Sequence, residues 1–324
     1  MEDKFYFEPG FSLRSVCAGD EVRLLKQLEE KFSVHVTARD NWVALAGDDS
    51  AVQGAIAFFA SLSELFKLRQ KVLERSDIEL LLRGSGRAGT SSVGQLWQGR
   101  IPLSASRREV MPRSQRQLTY VNSMREHDVV FGIGPAGTGK TYLAMAMAVS
   151  MFLAGEVSRI VLTRPARESG ERLGFLPGSL EDKISPYLRP LYDALYEMLS
   201  MDEAQDLINR NIIEVAPLAF MRGRTLNKSF IILDEAQNTT QDQMLMFLTR
   251  MGFGSRCVVT GDPTQSDLTG NERSGLTHAI NTLRHLPEID FVFFDTSDVV
   301  RHSLLEKIIN AYNSPETPSP GKEI

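Results

Sequence analysis

The sequence predicts an α/β fold in which a parallel sheet is flanked by helices, with a smaller α+β domain ahead of it. After residue 128, helical segments alternate with six apolar segments of strand length: VVFGI, RIVLTR, NIIEVA, FIILDEA, RCVVTGD and FVFFD. Segments that are apolar throughout are typical of parallel strands buried on both faces. We therefore divide the chain into an α+β domain (1–83), a linker (84–116), the main domain (117–312) and a disordered tail (313–324).

The first domain has the pattern helix, two short strands and helix. EVRLLKQLEEKF and AVQGAIAFFASLSELFKL carry apolar residues at helical spacing, and FSVHVTARDNWVALAG alternates around a turn at Asp40 and Asn41. This order resembles half of a KH-type nucleic-acid-binding unit, although the GxxG backbone clamp of such units is absent. A small α+β domain that mediates protein contacts explains the pattern equally well.

The segment 84–116 is rich in Gly, Ser and Arg, and Glu109 is its one acidic residue. This composition is typical of a flexible linker. Its arginines either belong to a solvated spacer or contact the phosphates of a nucleic acid. They are Arg87, Arg100, Arg107, Arg108, Arg113 and Arg116.

Composition and charge exclude several classes of protein. The formal net charge of −5 argues against a protein that coats nucleic acid, although a local basic groove stays open. Cys17 and Cys257 are far apart, so we expect two buried thiols and neither a disulfide framework nor a zinc site. No apolar run reaches the length of a membrane span, and the first residues lack the pattern of a signal peptide. We expect a cytoplasmic protein with no membrane partner.

The stretch GPAGTGKT matches the phosphate-loop pattern GxxxxGK[ST] between a strand and a helix. Its glycines let backbone N–H groups point at phosphates, and the helix N-terminus adds positive partial charge. We expect Lys140 to pair with the β- and γ-phosphate oxygens and Thr141 to ligate Mg²⁺. The nucleotide-binding segment is Gly134, Pro135, Ala136, Gly137, Thr138, Gly139, Lys140, Thr141 and Tyr142.

An acidic pair follows the apolar strand FIIL. This places Asp234 and Glu235 at the carboxyl edge of the sheet, where ligands bind. We expect Asp234 to organise Mg²⁺ and Glu235 to orient or deprotonate the attacking water. The Asn-Lys-x-Asp signature of guanine readers is missing, so ATP is the expected nucleotide.

Two later positions complete the predicted site. Gln265, in TGDPTQ, can reach the γ-phosphate or its water, although Gly-Asp-Pro can equally form a simple β-turn. Arg301, in DVVRH, can stabilise charge on the γ-phosphate, in its own or a neighbouring subunit, or form a surface salt bridge.

The motifs GPAGTGKT, DEAQN, GDPTQ and VRH occur in the order found in superfamily one helicases. The longer stretches LTRPARESGERLGFLPG, RGRTLNKSFIILDEAQNTT and MFLTRMGFGSRCVVTGD resemble the PhoH family of ATPases, closely over about 117–310 and loosely over most of the remainder. The architecture is similar to the YbeZ-type branch. This resemblance implies a RecA-like P-loop NTPase acting in RNA metabolism or ribosome maturation, a tendency to form rings, and a YbeY-type endoribonuclease as partner.

The resemblance also assigns individual residues. Gln117 matches the adenine-reading glutamine of helicases, although Arg116 stands before it where many members have asparagine. Arg164 and Arg167 match the segment that faces nucleic acid; the alternative is ion pairing with nearby glutamates, Glu168 or Glu171. Helicases clamp ATP between two RecA-like domains, and this chain has residues for one. A homo-oligomer with Arg301 acting across the interface is therefore expected.

Three functions remain open from the sequence. The leading hypothesis is an ATPase that remodels RNA or an RNA–protein complex. The second is a regulatory protein that uses ATP to recruit a nuclease without motor activity. The third is a small-molecule kinase, which explains DEAQ followed by GDPTQ poorly.

Overall fold

The computed structural model describes most of the chain in separate segments: 1–8, 11, 13–16, 20–39, 41–69, 72–73, 77–78, 81–82, 93–103, 109–165, 180–268 and 273–299. Predictions made for Cys17, Asp40, Arg167 and Arg301, and for the tail, lie outside these residues.

Among the described residues of its first part, the chain forms three strands and at least three helices. They are β1 (Glu2–Tyr6), α1 (Leu13–Val16), α2 (Glu21–Phe32), β2 (His35–Arg39), β3 (Trp42–Ala46) and α3 (Asp49–Arg69). The strands make an antiparallel sheet in the order β1-β3-β2. Both predicted helices and both predicted strands are confirmed. β1 was not predicted, because EDKFY has too few apolar residues to indicate a strand.

Helices α2 and α3 pack on one face of this sheet and bury its first hydrophobic core. That core includes Leu28, Val43, Leu45, Phe58 and Phe59, all of which are fully buried. By length and composition α3 could cross a membrane, but polar residues interrupt its apolar sequence, and Phe58 and Phe59 on this helix are buried in the core. The KH-like character of this unit stays a prediction.

The segment predicted as a linker contains regular structure. It holds α4 (Val93–Gln98), β4 (Ile101–Pro102) and β5 (Glu109–Val110), followed by α5 (Gln115–Glu126). The interpretation as a flexible spacer was wrong for these residues. A few apolar side chains anchor the segment, although its average composition is rich in Gly and Arg. Three of them pack into the core of the main domain: Ile101, Leu103 and Val110.

Two of the linker arginines have partners within the chain. Arg100 Nε lies 3.5 Å from Glu109 Oε1, and its guanidinium lies 5.2 Å from the centroid of the Trp97 ring. Arg116 Nη1 lies 3.1 Å from Asp298 Oδ2 and also pairs with Asp295. Both arginines therefore have partners within the chain, which neither of the two alternatives predicted.

Six parallel strands form the main sheet, as the sequence predicted. Its elements are β6 (Val129–Ile133), α6 (Lys140–Leu153), β7 (Arg159–Arg164), α7 (Leu180–Met198), α8 (Met201–Asn209), β8 (Ile213–Pro217), β9 (Ser229–Leu233), α9 (Gln241–Leu248), β10 (Arg256–Gly261), α10 (Gly275–Leu283) and β11 (Ile289–Phe293). The strand order is β11-β6-β10-β9-β7-β8. Because β10 lies between β6 and β9, the loops that follow these three strands are neighbours at the carboxyl edge.

Both faces of the main sheet are covered, which explains the apolar strands. Val130 and Ile232 point to the face covered by α5, α6, α7 and α8. Phe131 and Leu233 point to the opposite face, covered by α9 and α10. The alternation within each strand therefore fills two separate cores.

Cys257 gives a test of this packing. Its side chain is buried on β10, and burial raises the pKa of the thiol to about 12. We expect a Cys17→Ser variant, which keeps Cys257 as its one cysteine, to resist a thiol reagent at about pH 8 while folded, because the thiolate is the reactive form. The same protein in denaturant should react fully. Rapid reaction of the folded protein would contradict the burial of β10.

Candidate functional site

The phosphate loop joins β6 to α6 in a backbone conformation that its glycines allow. Gly134 has a φ of 142°, and a Cβ there would come within 2.4 Å of the carbonyl oxygen of Phe294. Gly139 has a φ of 81° and immediately precedes α6. Positive φ values of this size are rare for residues with a Cβ. The loop can therefore curl tightly at the helix N-terminus only with glycine at these positions.

Lys140 folds back into this loop. Its Nζ donates to the carbonyl oxygens of Gly134 at 2.6 Å and Pro135 at 2.7 Å, and lies 3.2 Å from Thr138 Oγ1. Burial lowers the pKa of Lys140, while three neighbouring carboxylates oppose this shift: Asp262, Asp234 and Glu235. The ammonium is thus held at the centre of the loop by neutral acceptors.

Two threonine hydroxyls converge on one oxygen of Asp234. Thr141 Oγ1 and Thr260 Oγ1 each donate to Asp234 Oδ1 over 2.7 Å. Asp234 is only 7% exposed and follows β9, whereas Thr141 belongs to α6 and Thr260 to β10. The structure therefore brings the predicted metal ligands Thr141 and Asp234 together. Thr260 was not predicted, because only the strand order places it beside Asp234.

Glu235 adopts a left-handed conformation with a φ of 53°, which is uncommon for a residue with a side chain. Arg164 Nη2 lies 3.1 Å from Glu235 Oε1, and Gln237 Nε2 donates to Glu235 Oε2. Both carboxylate oxygens therefore have donors. Arg164 pairs with Glu235. The glutamates proposed from the sequence, Glu168 and Glu171, lie outside the described residues.

Gln237 connects the acidic pair to the next loop. Its side chain is 2% exposed, and its Oε1 accepts a hydrogen bond from the backbone N–H of Asp262 at 3.0 Å. Beyond the DEAQN motif, no sequence pattern predicted this role, since a glutamine just after a strand can serve many purposes.

Gln265 lies in the loop after β10 and is held by Asp262. Its Nε2 donates to Asp262 Oδ2 over 2.7 Å, and its backbone N–H donates to the carbonyl oxygen of Asp262 over 3.0 Å. The second bond is that of a β-turn, so the turn proposed as an alternative is present. The predicted reach of Gln265 toward a γ-phosphate stays a prediction.

Gln117 lies against the phosphate loop. Its Nε2 donates to the carbonyl oxygen of Thr138 over 2.9 Å, and its Oε1 accepts from the backbone N–H of Arg113 over 2.6 Å. Both ends of the amide are engaged, and adenine reading stays a prediction. Tyr142 is 37% exposed in the first turn of α6.

The donor set fits a nucleotide with Mg²⁺. A buried ammonium bound only by neutral loop oxygens matches the anionic oxygens of a triphosphate, and a threonine hydroxyl beside an aspartate matches a magnesium ion that also binds phosphate. In the described part of the chain, no group of three or more His, Cys, Asp or Glu side chains could hold a metal by itself. Thr141 and Asp234 would therefore hold Mg²⁺ together with phosphate oxygens.

Comparisons with known proteins agree with this site. The family model described as PhoH-like protein matches residues 109–313. A PhoH-like protein of Mycobacterium bovis is 47% identical over 300 residues, covering 92% of this chain and 84% of the relative. One of Bacillus subtilis is 44% identical over 295 residues, covering 91% and 92%.

Solved structures resemble the chain less closely. A SWI2/SNF2 ATPase core of Sulfolobus solfataricus in complex with dsDNA has a TM-score of 0.31 and 14% identity, covering 46% of this chain and 31% of that one. This likeness is too weak to support a conclusion. The family model and the long alignments are sufficient, and the chain belongs to the PhoH-like protein family.

Proposed function

We propose that this protein hydrolyses ATP with Mg²⁺ and couples its hydrolysis cycle to RNA in an oligomer. The observation that carries the proposal is the convergence on Asp234 of hydroxyls from α6 and β10, beside the ammonium of Lys140. Elements far apart in sequence supply these groups to one edge of the sheet. This arrangement serves phosphoryl chemistry, in which positioning and charge stabilisation do most of the work.

Each residue has a role in this proposal. Lys140 would leave the loop carbonyls and pair with the β- and γ-phosphate oxygens, while Thr141 and Asp234 would hold Mg²⁺. When bound, Mg²⁺ would offset the negative charge of the phosphate groups. Glu235 would orient or deprotonate the attacking water, and Gln265 would respond to loss of the γ-phosphate.

The ion pair between Arg164 and Glu235 favours a second candidate. A carboxylate whose two oxygens both accept hydrogen bonds is less free to position water, so basal turnover should be slow. Slow turnover suits an ATP-gated regulator that recruits a nuclease, such as a YbeY-type endoribonuclease. It also suits a remodeller in which RNA releases Glu235, and the response of turnover to RNA separates the two.

We infer an oligomer because the described part of the chain contains one parallel sheet with a phosphate loop. The wall that closes the site opposite the phosphate loop would come from a neighbouring subunit, with Arg301 as its donor. Mixing inactive Lys140→Ala and Arg301→Ala chains should then restore part of the activity, because some sites combine an intact Lys140 with an intact Arg301. Complete inactivity of the mixture would contradict a shared site.

The direct test of the proposed chemistry is phosphate release from ATP by the purified protein, with Mg²⁺ and with EDTA. We expect slow turnover that requires Mg²⁺. Tight ATP binding without phosphate release at any protein concentration would contradict hydrolysis and favour a purely gated regulator.

Replacing Thr260 by valine should weaken Mg²⁺ binding. The variant keeps the shape of the side chain but removes the hydroxyl that orients Asp234, and loss of such a contact raises the Mg²⁺ concentration for half-maximal turnover about tenfold. Thr163→Val is the matched control, because Thr163 is a fully buried threonine on β7 whose Oγ1 has no hydrogen-bond partner among the described residues. An equal Mg²⁺ requirement in both variants would show that Thr260 does not support the metal site.

A further inference from the structure

The face of the N-terminal sheet opposite α2 and α3 is open and has an ordered pattern of side chains. Across β1, β3 and β2 the register places Tyr6, Trp42 and Arg39 in one row. The next row is Lys4, Ala44 and Thr37, and the last is Glu2, Ala46 and His35. Side chains of paired residues point to the same face of a sheet, so these three rows form one surface, which we call the open face.

Aromatic rings occupy one end of the open face. Tyr6 and Trp42 lie directly opposite each other on adjacent strands, where Cβ atoms are about 5 Å apart. Tyr6 is 63% exposed, which is unusual for a large side chain on a sheet whose other face forms a core. Small alanines, Ala44 and Ala46, continue along the central strand beside the rings.

Cationic side chains lie next to these rings. The ammonium of Lys4 lies 4.8 Å from the centroid of the Trp42 ring, and Arg39 is the cross-strand neighbour of Trp42. Among the described residues, neither Lys4 nor Arg39 forms an ion pair, whereas His35 in the far row lies 3.0 Å from Glu29. The acidic residue of the face, Glu2, is two rows from Trp42.

We propose that the open face binds single-stranded RNA, whose bases stack on Tyr6 and Trp42 while Lys4 and Arg39 contact its phosphates. Exposed aromatic rings with neighbouring cations are the two components of single-strand recognition, since every base has a π-face and every nucleotide a charge. The hydroxyl of Thr37, in the row beside the rings, can bond a ribose 2′-hydroxyl. The choice of RNA as the ligand rests on the proposed function. The surface on which bases would stack is inferred from the structure independently of that function.

This site does not require the GxxG clamp that the sequence lacks. Helices α2 and α3 lie on the other face, so among the described residues of this domain an RNA strand on the open face meets side chains of β1, β2 and β3. Lys4 covers part of the indole in the free protein, and an exposed cation–π contact is weak enough for a base to replace it.

The test is fluorescence anisotropy with a labelled, unstructured RNA of about 12 nucleotides and the full chain without ATP. Tyr6→Ala should weaken binding about tenfold, the loss typical of one stacked base. The double variant Lys4→Gln/Arg39→Gln should also weaken binding and should flatten the log–log dependence of affinity on salt by about 1.4. Duplex RNA of the same sequence should bind much more weakly, because its bases are not free to stack.

The matched control is Arg23→Gln/Lys26→Gln, which removes the same charge from exposed positions on α2. Equal losses in the two double variants would show non-specific attraction and overturn the proposal, as would full binding by Tyr6→Ala. Tighter binding of the matching DNA would overturn the choice of RNA. If the Tyr6→Ala chain binds RNA normally but assembles differently in sedimentation, the face contacts a second copy and the proposal is wrong.

Failure of this RNA-binding proposal can be distinguished from failure of the proposed function. Loss of RNA binding in the open-face variants, with no effect of RNA on hydrolysis by the unaltered chain, would support the inference and contradict RNA coupling. Stimulation by RNA that survives unchanged in these variants, with unchanged RNA affinity, would support RNA coupling and overturn the inference.

Discussion

Replacing Lys140 by alanine is expected to reduce ATP affinity by at least about 100-fold, since each hydrogen bond from a charged group contributes about 1.5–3 kcal/mol and the ammonium would contact two phosphate groups. Binding of a fluorescent ATP analogue measures the change. The nucleotide-free variant should remain folded, because burial already lowers the pKa of Lys140 and its removal relieves that cost.

Lys26→Ala serves as the control for Lys140→Ala. Lys26 is exposed on α2, so this variant removes the same charge at a distance from the loop and should bind the analogue normally. Near-normal binding by Lys140→Ala would mean that the loop binds nucleotide through its backbone alone, and would contradict the role given to its ammonium.

Replacing Glu235 by glutamine should trap bound ATP. The change keeps the size of the side chain and removes its negative charge, so it should lower hydrolysis about 10²- to 10⁴-fold, the usual contribution of a general base. ATP affinity should be preserved or increased, since a negative charge near the γ-phosphate is lost. Single-turnover phosphate release, with nucleotide binding measured in parallel, separates the two effects.

Glu214→Gln is the matched control for this change. Glu214 also pairs with an arginine, Arg224, at 2.6 Å and 2.7 Å, but on β8 at the edge of the sheet. It should leave hydrolysis unchanged while breaking a comparable ion pair. Full turnover by Glu235→Gln would make the water-positioning assignment wrong.

The sequence predicted best those features that depend on residues close together in the chain. Mostly apolar runs predicted all six strands of the main sheet, since a strand covered on both faces needs apolar side chains at most of its positions. The loop from Gly134 to Thr141 was equally clear, because only glycine tolerates its backbone and only a following helix supplies its amides. The order of the strands was not encoded in any such local pattern.

Contacts that depend on strand order were therefore missed. Thr260 bonds Asp234 because β10 lies between β6 and β9, and Arg164 reaches Glu235 because β7 is the other neighbour of β9. For the same reason, Gln237 Oε1 can accept a hydrogen bond from the backbone N–H of Asp262. Local sequence identified the separate groups, while the sheet determined which of them meet.

Average composition led to a wrong prediction of a flexible linker in the segment before the main domain. Gly, Ser and Arg dominate a window in which Ile101, Leu103 and Val110 nevertheless reach the core. Two short paired strands need only two residues each, which is below the length at which alternation becomes visible.

The most direct test of the central claim is the steady-state rate of ATP hydrolysis by the purified chain, with and without single-stranded RNA, over a range of protein concentrations. We predict a several-fold increase with RNA and a specific activity that rises as subunits assemble, because RNA would free Glu235 and a neighbour would complete the site. A slow rate that is the same with and without RNA at every protein concentration would contradict this claim and favour the ATP-gated recruiter.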